Sequence, residues 1–146
     1  MTRIAFVVLL CLHGAAILIP WQKTGEMSGG VRFGCLNEEV CFSEANRAVL
    51  PSKAPVFKSG GYDGQFYYYA AYRLGGQSTI LDSEPFRMAR IGYPLLVSPF
   101  TAAGPSAVVA AMALVPFFAH LLAVTLLSRG KLLFASNPFS VLSACL

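Results

Sequence analysis

One carboxylate and two arginines carry the chemistry this chain can offer. Asp63 lies in Gly61-Tyr62-Asp63-Gly64-Gln65-Phe66-Tyr67-Tyr68, and Arg87 and Arg90 lie in Phe86-Arg87-Met88-Ala89-Arg90-Ile91-Gly92-Tyr93-Pro94-Leu95-Leu96. A carboxylate can take the proton of an attacking hydroxyl, and a guanidinium can hold two phosphate oxygens at once. Sugar transfer from a lipid-phosphate donor requires both groups. Each residue also has a plainer role. Asp63 can cap the helix that follows it. The arginines can snorkel to headgroups, or Arg87 can pair with Glu84 one turn earlier. Their spacing of three puts Arg87 and Arg90 on one helix face, with Pro94 a turn further on.

The rest of the chain must hold these groups at a membrane. Of its residues 55% are hydrophobic and only 12% charged, and the mean hydropathy is +0.60. These values lie far from soluble averages. All seven acids (Glu26, Glu38, Glu39, Glu44, Asp63, Asp82 and Glu84) fall between residues 26 and 84, so both ends lack carboxylates. That segregation predicts apolar arms around one polar loop, without a second soluble domain.

The first arm, residues 4–21, is apolar apart from His13 and is flanked by Arg3 and Lys23. Eighteen residues of helix span about 27 Å, enough for the hydrocarbon core. Arg3 followed by residues 4–12 also fits a signal peptide, but no small-x-small site follows, which favours an uncleaved anchor. The second arm, residues 107–127, carries no formal charge and runs into Arg129 and Lys131. Pro116 should bend it by removing one backbone hydrogen bond. The positive-inside rule then places the N-terminus in the cytoplasm and the loop outside. The expected fold is an all-α integral membrane protein. It has helix 1 within residues 1–23, an external loop at 24–103 with short interfacial helices, helix 2 at 104–128, and a cytoplasmic turn and apolar tail at 129–146. Asn137-Pro138 breaks the tail, which is too short for a third span but could begin one.

Within the loop, residues 25–55 read as irregular. Cys35 and Cys41 could close a small disulfide there if the loop is external. Residues 63–74 turn helical, ending at Gly75-Gly76. Four tyrosines and Phe66 within that helix suit an element lying flat at headgroup level. Asp82-Ser83-Glu84-Pro85 predicts another helix start. His13 and His120 sit in apolar arms far from the cysteines, so no zinc set arises. No Walker loop or GxGxxG is present, and no nucleic-acid partner is expected.

Across residues 60–100 the two patches resemble those that follow the first transmembrane helix in bacterial polytopic glycosyltransferases of the GT-C superfamily, mannosyltransferase-like cell-surface polymer proteins among them. The flanking helices match only in hydrophobicity. The resemblance implies an integral protein of the bacterial inner (plasma) membrane that transfers a sugar from a polyprenyl-phosphate donor to a cell-envelope acceptor. Asp63 would be the base or the group that positions acceptor or metal. Gln65, Tyr67, Arg87, Arg90 and Tyr93 would bind substrate. No organic cofactor is implied, and a divalent metal is left open. Such enzymes are several times longer, so the resemblance implies an N-terminal part that is inactive by itself. The other reading is a small non-catalytic two-span protein whose loop binds a partner or lipid headgroups.

Overall fold

The computed structural model describes residues 2–37, 39–58 and 63–129. Gly61 and Tyr62 of the first patch, Lys131 and the tail after it lie outside the described residues. Six α-helices occur among the described residues: α1 (Thr2–Thr24), α2 (Phe42–Ala45), α3 (Gly64–Leu74), α4 (Glu84–Met88), α5 (Gly92–Val97) and α6 (Pro105–Arg129). Single 3-10 turns at Met27–Gly30, Arg47–Val49 and Ser98–Ala103 join them. There is no strand among the described residues, only one parallel bridge between Gly34 and Phe57.

Two of these helices are long and apolar enough to cross a membrane. The stretches that qualify are Phe6–Thr24 in α1 and Pro105–Leu126 in α6. Neither has a polar face, and Ile4, Val7, Leu12, Leu114, Phe118, Leu122 and Leu126 are all exposed. A helix apolar all round gains nothing from water on any side. α6 continues through Pro116. A proline there removes the donor that would bond the Met112 carbonyl four residues earlier.

The polar loop between these helices is more than an irregular strip. It folds around its own core, with α3 at the centre. Tyr68, Tyr69 and Tyr72 are buried, as are Phe66, Phe33, Phe42 and Val49. Rings meet edge to face, Phe33 on Tyr68 at 4.9 Å and Phe42 on Phe66 at 5.0 Å. The expectation that the α3 aromatics anchor in headgroups is therefore corrected. Apart from half-buried Tyr67, they are inside the protein, where each large ring removes much apolar area from water. Burial also pushes the Tyr68 and Tyr69 hydroxyls well above their ordinary range.

Polar side chains stitch the irregular segments onto α3. The Tyr68 hydroxyl donates to the Val49 carbonyl, and Thr79 Oγ1 donates to the Tyr69 carbonyl at 2.9 Å. Buried Asn46 works like a piece of strand: its amide donates to the Ile80 carbonyl and its oxygen accepts from the Ile80 N–H. Cys35 and Cys41 form a disulfide in the segment before α2. Gly76 ends the α3 region with φ +89°, a conformation that favours glycine.

Candidate functional site

Asp63, Arg87 and Asp82 converge at the start of α3. Arg87, in α4, is buried, and its guanidinium lies 4.3 Å from the centroid of the Phe66 ring. Its Nε donates to Asp82 Oδ1 at 2.8 Å and its Nη2 to Asp82 Oδ2 at 2.7 Å, a two-pronged fork. The same Nη2 donates to Asp63 Oδ1 at 3.0 Å. Asp63 itself is exposed, with 59% of its side-chain surface accessible. A buried cation thus holds an exposed carboxylate by one oxygen.

This geometry corrects several expectations. Asp63 occupies the N-cap position of α3, but its carboxylate makes no cap bond and turns to Arg87 instead. Arg87 does not pair with Glu84, which is bridged to Arg73 at 2.7 Å. The Arg87 Nε and Nη2 donors are engaged by two carboxylates. α4 ends at Met88, so Arg90 lies past the helix, not on its face. Arg90 is exposed and stacks over Phe86 at 4.6 Å, and Arg87 also lies against that ring, at 5.6 Å. The two guanidiniums thus lie against one ring.

Gln65 and Tyr93 are likewise committed within the fold. Gln65 is buried, and its Oε1 accepts the Gly34 N–H at 3.0 Å. That bond fixes the segment carrying Cys35 onto α3. Tyr93, in α5, donates its hydroxyl to the Met112 carbonyl of α6, the acceptor that Pro116 leaves without a helical donor. Tyr67 packs edge to face on Tyr93, ring centroids 5.7 Å apart. Burial raises the Tyr93 hydroxyl above its ordinary range, which keeps it a donor. Tyr93→Phe should leave a carbonyl of α6 unsatisfied and loosen the loop on α6 by about 1–3 kcal/mol. Hydrogen exchange of the α5 amides is the measurement; unchanged protection would refute the strut.

Asp82 is the residue that sequence reasoning passed over. It was legible only as part of an acidic helix start, although its place five residues before Arg87 makes the fork possible. The Arg87 hydrogen bonds hold its carboxyl below the ordinary 3.8. A depressed folded-state value means that this contribution is full above the ordinary value and is lost as pH falls through the folded one. The loop's melting temperature should therefore drop below pH 3.8, and Asp82→Asn should flatten that drop. Near-UV circular dichroism of the buried tyrosines would record both. An equal acid drop in Asp82→Asn would place its origin elsewhere.

No cluster of three or more histidines, cysteines or acids suited to a metal occurs among the described residues. Comparison with protein-family models, curated proteins and solved structures finds no match to the chain. The resemblance to GT-C enzymes therefore rests on the two sequence patches.

Proposed function

We propose that this chain is the donor- and acceptor-facing part of a GT-C-type membrane glycosyltransferase acting on a polyprenyl-phosphate sugar at the outer face of a bacterial plasma membrane. The observation that carries the reading is the exposed Asp63 carboxylate held by buried Arg87. Asp63 receives the proton of the acceptor hydroxyl as that oxygen attacks the anomeric carbon. The bond from that carbon to the phosphate oxygen breaks, the lipid phosphate leaves, and the centre inverts. Arg87 is the positioning residue, and exposed Arg90 is the cation for the donor phosphate. In this reading α1 and α6 cross the bilayer with the loop at 24–103 outside. A reporter after Lys131 is then cytoplasmic and one near Ser52 external, and the opposite pattern would overturn the topology.

Two apolar helices cannot shield a polar transfer site from lipid, so turnover needs further helices around it. The purified chain in lipid should bind a photoactivatable polyprenyl-phosphate sugar without turning it over. Arg90→Ala should weaken that labelling by about tenfold, the value of one charge-assisted contact. Asp63→Asn should leave it nearly intact. Labelling indifferent to Arg90 would end the donor-site reading. The engagement of Gln65, Tyr93 and Arg87 inside the fold favours a second reading, a non-catalytic protein whose loop binds headgroups or a partner. Under it, Asp63→Asn alters stability alone.

A further inference from the structure

The helical rod before α6 has an outward face without a polar side chain. α5 runs directly into the 3-10 turn at Ser98–Ala103, so residues 92–103 form one continuous rod. Pro94 and Val97 are its buried positions. Its exposed side chains are Leu95, Leu96, Pro99, Phe100, Ala102 and Ala103, and the three largest, Leu95, Leu96 and Phe100, are 53%, 60% and 45% accessible. Elsewhere in the loop, charges such as Arg32, Glu39, Glu44, Arg47 and Lys53 are interleaved among the exposed positions. The rod's three hydroxyls all turn to main-chain carbonyls. Tyr93 donates to Met112, Ser98 Oγ to Leu95 at 3.0 Å and Thr101 Oγ1 to Ser98 at 2.7 Å. Hydrocarbon demands this of a polar group, and water does not.

We propose that this face is sunk in the outer leaflet of the bilayer, with Leu95, Leu96 and Phe100 among the acyl chains below the headgroups. Depth is the deciding observation. The apolar stretch of α6, Pro105–Leu126, has 22 residues, about 33 Å of helix against a hydrocarbon core of about 30 Å. Pro105 therefore stands at the outer boundary of that core. Met112 lies roughly two turns further along, about 10 Å deeper, and Tyr93 reaches its carbonyl. The rod accordingly runs back beside α6 rather than rising above it, and Gly104, at φ +97°, turns the chain between them. Val97 and Val108 belong to one buried cluster, which closes the inner side of the rod on α6. Charge agrees. The chain has no acid after Glu84, and exposed Arg90, just before the rod, can snorkel to the phosphates. Elements of this kind sink their apolar side about 5–10 Å into the acyl boundary. Lipid rather than protein is the occupant, because a protein-docking patch carries a polar rim, whereas this face has none along its length.

The inference rests on α6 crossing the bilayer and not on sugar transfer. Trp21 is the sole tryptophan, so a Trp21→Phe background accepts single reporters at Leu96, Phe100, Leu122 of α6 and Ile80 of the loop, all exposed. The full chain is compared in nanodiscs of plain phosphatidylcholine and of phosphatidylcholine brominated midway along one acyl chain. Leu96→Trp and Phe100→Trp should lose about half of their fluorescence or more, as Leu122→Trp does, because only rings at hydrocarbon depth meet the bromine. Ile80→Trp should lose almost none. Full fluorescence at either rod position, with Leu122→Trp quenched, overturns the insertion while α6 still spans. Emission shifted to the blue without quenching would mean that protein covers the face, and overturns the lipid assignment. Absence of quenching in Leu122→Trp overturns the spanning reading and this inference with it. If one rod variant fails to fold by circular dichroism, the other decides alone.

Discussion

Replacing Arg87 by methionine should unfold much of the loop's polar edge before it affects any ligand. Methionine keeps the stem that packs near Phe66 but removes three hydrogen bonds and the charge. Asp63 and Asp82 would then face each other without a cation. Breaking a fully buried pair costs about 3–5 kcal/mol. Asp63 is 59% exposed and Asp82 32%, so both acids recover hydration and screening, and about 2 kcal/mol is the expected loss. Arg87→Lys should fall between methionine and arginine, because an ammonium cannot reproduce the fork on Asp82. A double-mutant cycle with Asp82→Asn, followed by thermal unfolding, measures the coupling. Additive effects would show that the fork contributes nothing. A donor-clamp role predicts the reverse order: loss of donor binding in Arg87→Lys at unchanged melting temperature.

The long elements were legible in the sequence because their signals are local. Uninterrupted apolar runs specify α1 and α6, and Gly75-Gly76 specifies the end of α3. Asp82 to Pro85 likewise marks the start of α4. The environment of α3 was not legible. An aromatic run reads the same whether its rings lie in headgroups or in a protein core, and only partners distant in sequence decide. Here Phe33, Phe42 and Val49 supply that core from a stretch that looked irregular. The site was half legible for the same reason. Asp63 and the two arginines stood out by type, but the partner of each is a long-range fact. Arg87 lies 24 residues from Asp63, and Tyr93 meets Met112 across 19. The latter contact did have a local signal, since a proline in a helix marks the carbonyl four residues earlier as one in need of a donor.

Under the proposed transfer reaction, the largest effect on activity belongs to Asp63. In a preparation that turns over, Asp63→Asn should lower kcat by roughly 10²–10⁴-fold, the range for loss of a general base. Asparagine keeps an oxygen for the Arg87 Nη2 donor and the size of the side chain, so the local geometry survives. The cost in stability should stay under about 1 kcal/mol, because the exposed side of this pair is screened by water. Donor affinity should hold, since the donor phosphate is assigned to Arg90. Arg90→Lys separates the two roles. It should weaken donor binding about tenfold while leaving the melting temperature unchanged, because Arg90 is exposed and lies against Phe86. If Asp63→Asn instead retains kcat and lowers only the melting temperature, the carboxylate is a structural partner of Arg87 and the transferase reading fails. Loss of kcat at wild-type stability and donor affinity has no explanation in a loop that merely anchors.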